Sequence, residues 1–237
     1  MIVRRTATHL LLITQPDHAA LAARIMAHWR ADGFPTRRTR EVVLEAVGQH
    51  DIGWTAEDTV PRLDPSAQAP YDFISAPADV RQRIWPRAIS QIEPASRYEA
   101  ALIAQHARTV YRRHEDDAAW QPFLDQMARE RDRLVDRADE AAFRGFLQDY
   151  AIVAIGDLLS LTFCNGWAEP VDIDGYRVHL RGDVLQVHPD PFDDATVPMA
   201  VAARQLPRKE YCTALDLLDA FRTAPMVTLR GEAVGKD

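Results

Sequence analysis

Cysteine, lysine and long apolar runs are what this chain has least of. Its two cysteines, Cys164 and Cys212, stand in separate segments with no paired spacing, which argues against a disulfide framework or a zinc knuckle. Only two lysines, Lys209 and Lys236, occur among 28 basic residues. Positive charge is therefore carried by arginine, whose planar fork binds phosphate or carboxylate in bidentate fashion wherever it reaches a pocket. No uninterrupted apolar run approaches the roughly 20 residues of a spanning helix. The N-terminal stretch MIVRRTATHLLLITQPDH passes straight into a helix start without a small-residue cleavage site. A cytoplasmic chain without a membrane partner is expected. Internal repeats and low-complexity tracts are absent as well.

What remains is ordinary globular material: 237 residues, 47% hydrophobic and 27% charged, enough to bury a substantial core. The net charge of −7 argues against a general nucleic-acid binder, which must neutralise phosphates. A small-molecule substrate is the expected partner, and a homo-oligomer stays open.

Residues 3–13 read as a strand or extended arm. Thr14 and Pro16 mark a helix entry, and His18, Leu21, Ile25 and Trp29 follow on one face. A second helix from about Thr39 carries Val43, Leu44 and Val47 and then His50-Asp51, ending at Gly53. The next segment, rich in Pro, Asp and Ser, has no periodicity, and its Trp54, Tyr71 and Phe73 suggest a packed loop. Ser96-Arg97-Tyr98-Glu99 fits a capping box before a helix bearing Leu102, Ile103, His106 and Val110. A charged helix over 120–135 and a long one over 139–164 follow. The latter places Phe143, Leu147, Tyr150, Ala154, Asp157 and Leu161 on one stripe. From Val171 the period becomes that of strands: a hairpin over 175–187, a strand over 197–204, a short helix over 213–221 and a last strand over 226–230.

The simplest architecture from this pattern is mainly α: a helical bundle over 14–168, a strand or arm over 1–13, and a small antiparallel sheet in an α/β appendage over 169–237, which residues 3–13 could join, all packed as one unit. Four apolar stripes each carry an imidazole or carboxylate: His18, His50-Asp51, His106 and Asp157. A helix normally turns such groups to water, because an unpartnered buried polar group costs about 1–3 kcal/mol. Their recurrence on four helices points to convergence on a metal ion.

The order His18, His50-Asp51, distant Asp157 resembles the HD-domain superfamily of metal-dependent phosphohydrolases, in which four such residues bind a divalent metal amid a helical bundle. The resemblance covers the helical two thirds of the chain. It implies His18, His50, Asp51 and Asp157 as ligands. His106 takes the place of the extra histidines that two-metal members, phosphodiesterases and di-iron oxygenases alike, insert before the last Asp. A second inserted histidine is not obvious, His114 lying beside Glu115-Asp116-Asp117. The wider pattern TQPDHAALAARIMAHW, VGQHDIGW, DLLSLTFCNGW and HPDPF is similar to an uncharacterised bacterial family, domain of unknown function 3891, which brings no activity with it.

A two-His, two-Asp set suits Mn, Fe, Co, Ni or Zn, as one or two ions. The expected activity is hydrolysis of a phosphate ester or nucleotide by metal-activated water, with Asp51 and His106 as catalytic groups. An arginine such as Arg24, Arg37, Arg38 or Arg62 is the natural clamp for phosphate oxygens. Trp54 and Phe73 are available to stack on a base or ring. The alternatives are an HD-type di-iron oxygenase and a non-catalytic protein held together by its metal.

Overall fold

The computed structural model describes residues 1–237. It corrects the expected architecture. The protein is α+β, with seven helices (48% of residues) and a curled, mixed, seven-stranded sheet rather than a helical bundle with a small appended one. Strands from both ends of the chain build that sheet. β1 (Ile2–Arg5) and β2 (His9–Ile13) form a hairpin, and β2 pairs with β8 (Val197–Pro207). β9 (Met226–Gly235) pairs antiparallel with β8 and parallel with β7 (Val184–His188). β6 (Tyr176–Arg181) and β5 (Val171–Ile173) complete the order β1-β2-β8-β9-β7-β6-β5. A short hairpin of β3 (Leu63–Asp64) and β4 (Ala69–Pro70) lies apart. The sheet is large because both of its β2 faces are buried: Leu11 and Ile13 join the main core, while Leu10 and Leu12 pack with Tyr211 and Leu217 on the opposite side. Local alternation reveals each strand but not how many strands pair, and pairing decides the class.

The helices follow their local signals. Thr14 caps α1 (Gln15–Met26) by accepting from the Asp17 amide. α2 (Arg40–Gln49) ends just before His50. Ser96 caps α4 (Arg97–Val110) through the Glu99 amide. α5 spans Gln121–Leu134. α6 (Glu140–Asn165) runs from an Asp139 cap to Gly166, which closes it in the left-handed conformation. α3 (Ala78–Ile92) is the helix that sequence patterning does not signal, since Pro86 interrupts its ladder. α7 (Ala214–Thr223) covers the outer face of the sheet.

Apolar as it is, α6 passes the length and composition test of a membrane span, yet 61% of its apolar window is buried in the protein. It is the central helix, packed on α1, α2, α4 and the sheet. At its start the stripe is rotated by one position: Phe146 and Asp149 are buried while Leu147 is 41% exposed.

Two large hydrophobic cores result, beside the smaller one on the opposite face of the sheet. One joins α1, α2 and α6 to the sheet; the other joins α3, α4 and α5, with Trp54. Phe73 and Leu134 pack against both.

Candidate metal centre

Four helical elements bring their polar stripes together. His18 projects from α1, His50 and Asp51 close α2, His106 lies on α4 and Asp157 on α6. His18 and His50 are fully buried; Asp51 and His106 are nearly so, and the Asp157 side chain is 16% exposed. Asp157 is thus the member of the cluster most open to approach.

The donor atoms face one another. His18 Nε2 is 2.9 Å from Asp51 Oδ2 and 3.8 Å from Asp157 Oδ1. His50 Nε2 is 3.3 Å from Asp157 Oδ1 and 3.6 Å from Asp51 Oδ2. His106 Nε2 approaches the other Asp157 oxygen, Oδ2, at 3.6 Å. The His50 ring meets those of His18 and His106 edge-on, with centroids 5.0 Å apart in both cases. Ligand bonds of about 2.1 Å place neighbouring donors about 3.0 Å apart at octahedral corners and about 3.4 Å apart at tetrahedral ones, so these separations fit a metal.

Hydrogen bonds behind the cluster orient the rings. His50 Nδ1 is 2.7 Å from the Val47 carbonyl, which can only accept, so Nδ1 carries the hydrogen. Nε2 is the nitrogen turned toward the Asp157 and Asp51 carboxylates. It is buried and has no hydrogen-bond partner, despite its nearness to Asp157. Such an atom is costly unless a cation meets it. His18 Nδ1 contacts Ser160 Oγ at 2.9 Å, and His106 Nδ1 contacts Tyr150 Oη at 3.3 Å.

The electrostatics agree that the cluster attracts positive charge. Burial opposes protonation of His50, but the Asp51 and Asp157 carboxylates outweigh it and raise its pKa to about 9. Burial pushes Asp157 and Asp51 upward, and the surrounding imidazoles overcome it, so that both stay below the usual carboxylate range. His106 behaves differently. Its burial outweighs the attraction of Asp157 and lowers its pKa to about 4, leaving a neutral ring beside the cluster.

His18, His50, Asp51, His106 and Asp157 therefore converge as the sequence pattern suggested. Ligand atoms of His18, His50 and Asp157 lie within 4.8 Å of one another. Trp54 and Arg62 line a small cleft with Asp58, Tyr71 and Val80, three residues and more beyond Asp51. Phe73 is not in that cleft; it plugs the seam between the two cores. Of the other arginines, Arg24 and Arg37 are engaged by the Ala200 carbonyl and by Asp149. His114 stacks on Trp120 at 4.4 Å, in the second core's aromatic group. The residues that sequence reading passes over are Ser160, Trp85 against His106, and the Val47 carbonyl. Ser160 alone left a signal, one helical turn after Asp157.

Residues 1–208 match the family described as Protein of unknown function (DUF3891), and the chain belongs to that family. The match runs from β1 through β8 and so includes every residue of the cluster. No curated protein and no solved structure matches the chain.

Proposed function

We propose that the protein is a metal-dependent hydrolase of a phosphate ester or nucleotide, with a divalent transition ion (Mn, Fe, Co, Ni or Zn) held by His18, His50, Asp51 and Asp157. The observation that carries this reading is His50 Nε2, a buried donor without a partner that faces two carboxylates. Membership of the HD-domain superfamily is the finer relationship we infer, from the order of these four residues and their convergence from α1, α2 and α6. The ligand set then sits on an α+β frame, and the frame by itself implies no chemistry.

When bound, a divalent ion supplies Lewis acidity that polarises a phosphoryl oxygen and lowers the pKa of water. The protein's own groups do the rest. Asp157, the most exposed of the set, marks the side from which substrate enters. Asp51 orients the attacking water. His106, a neutral ring 3.6 Å from Asp157 Oδ2, would act as a base beside the cluster. Arg62, exposed at the cleft, is the guanidinium available to phosphate oxygens. Trp54 is buried and forms the cleft's wall rather than a free stacking platform.

Protein purified without a His tag or chelator tests this reading. Metal analysis should find one or two equivalents per chain, and His50→Ala should abolish both metal and hydrolysis of a phosphomonoester or nucleotide panel. Absence of metal in the wild type, even after reconstitution, overturns it. The second reading is an oxygen-consuming di-iron centre. It is favoured by the division of Asp157, one oxygen toward His18 and His50 and the other toward His106. Iron as sole occupant, with oxygen uptake, selects it. Metal-dependent melting without any turnover selects a structural metal.

A further inference from the structure

We propose that Arg108, Arg131 and Arg137 form a binding site for a phosphate-class oxyanion, at the seam where α4, α5 and the start of α6 meet. The site is independent of the metal reading above. No member of the metal cluster hydrogen-bonds or pairs with these arginines.

Gln105 and Arg108 stand three apart on α4 and so share a face of that helix. The face meets α5, because Arg131 Nη1 donates to Gln105 Oε1 at 2.8 Å. Arg131 is buried, and its Nε and Nη2 close on Asp132 Oδ1 at 2.7 and 2.6 Å. The other oxygen of Asp132 accepts from Arg137 Nη1 at 3.1 Å. Arg131 and Arg137 both lie over the Phe143 ring of α6, 5.5 and 5.1 Å from its centre. Three helices thus bring three guanidinium groups to one place.

One carboxylate serves two of these groups, and none is left for Arg108. Its side chain makes no ion pair, and its Nε is buried without a hydrogen-bond partner. Acids nearby in sequence are engaged elsewhere: Glu130 by Arg133, Asp136 by the Ala138 amide, and Asp139 by the first amides of α6. Burial, with repulsion from Arg108 and Arg137, lowers the Arg131 pKa although Asp132 opposes it. The group therefore has a surplus of positive charge and an unmet buried donor, and leaving such a donor unmet is costly. An oxyanion relieves both. Guanidinium forks bind phosphate and carboxylate in bidentate fashion. A phosphate group carries oxygens in several directions and can take donors from Arg108 and Arg137 together, whereas a carboxylate has two oxygens in one plane. Arg131, held by Gln105 and Asp132, fixes the floor beneath them.

The test is calorimetric titration of the full chain with inorganic phosphate, at fixed ionic strength and with chelator present so that no metal takes part. The wild type should bind phosphate saturably, and acetate more weakly. Arg108→Gln should weaken phosphate binding about tenfold or more. Arg108→Lys, which keeps the charge but not the fork, should fall between the two. Arg177→Gln removes the same charge from an exposed arginine on β6 and should bind as the wild type does. Circular dichroism confirms that each variant is folded. If Arg108→Gln does not fold, Arg108→Lys decides: weaker binding supports the site and unchanged binding overturns it. Absence of saturable phosphate binding by the wild type overturns the proposal, and so does binding that survives Arg108→Gln. Equal losses in Arg108→Gln and Arg177→Gln would report overall charge alone and also overturn it. Acetate bound as tightly as phosphate would overturn the phosphate class. Because chelator is present throughout, these outcomes are separate from the success or failure of the metal reading.

Discussion

His50 Nε2 and Asp157 Oδ1 lie 3.3 Å apart, one at the end of α2 and the other in the middle of α6, with a hundred residues of chain between them. The Val47 carbonyl, accepting from Nδ1, turns the Nε2 edge of the ring toward this carboxylate. The contact is one of charge across a gap that a cation fits.

Asp157→Asn tests that gap. It removes the charge but keeps the shape, so the fold should persist while metal is lost. A ligand that binds only the folded state at 100 times its Kd stabilises by about 2.7 kcal/mol. Wild-type protein should therefore melt at a higher temperature with excess Zn²⁺ than with a chelator, and Asp157→Asn should show little or no difference. An equal metal response in the two proteins would count against Asp157 as a ligand.

Gly53 follows the His50-Asp51 pair and lets the turn lie directly on α3. A Cβ there would collide with the Ile84 carbonyl, which is backbone and cannot step aside. Gly156, beside Asp157, would direct a Cβ at Met26 Cγ (2.8 Å) and Val47 Cγ1 (3.0 Å), where the methionine is flexible. Gly53→Ala should cost at least the 1–3 kcal/mol typical of overpacking, and Gly156→Ala less. Urea unfolding of the two variants checks the order.

Asp149 is a buried carboxylate held by Arg37 Nη1 at 2.9 Å and by the Tyr98 hydroxyl at 2.7 Å, linking the loop before α2 to α4 and α6. Removing one partner of such a group leaves its charge undercompensated. Arg37→Ala should destabilise by about 2–3 kcal/mol, and Arg37→Ala combined with Asp149→Asn by less than the sum of the two. An additive cycle in chemical denaturation would show that the pair is not coupled.

Glu99 supplies a pH dependence away from the metal cluster. Burial, with repulsion from Glu45 on α2, raises its pKa from 4.5 to about 7, and its Oε1 has no partner. The folded state holds this proton more tightly than the unfolded chain does. Its contribution to stability is thus full below about pH 4.5 and is lost as pH rises through about 7. Glu99→Gln, which cannot ionise, should gain on the wild type between about pH 5 and pH 8 in urea midpoints. A difference that stays constant with pH would place the Glu99 proton elsewhere.

The helices other than α3, and their polar stripes, were legible in the sequence because both are local. Caps at Thr14 and Ser96 and the three-and-four spacing of apolar residues act within a few residues, and both caps are found where they are expected. The ligand candidates were legible for the same reason, each being a polar group on an apolar face.

What the sequence by itself determined is which side chains cannot remain in water and cannot comfortably be buried alone: His18, His50, Asp51, His106 and Asp157. Tertiary structure decided everything that depends on pairing. It joined β1 and β2 to strands near the other end of the chain, turning a small sheet into a seven-stranded one. It made a helix of 78–92 in spite of Pro86, because Val80, Ile84, Trp85, Ala88 and Ile89 find a core to fill. It sent Phe73 to a seam and set Ser160 behind His18. The physical reason is the range of the forces. Propensity and capping are settled by near neighbours, whereas strand pairing, burial and the hydrogen that fixes a tautomer depend on groups that only the folded chain brings within reach.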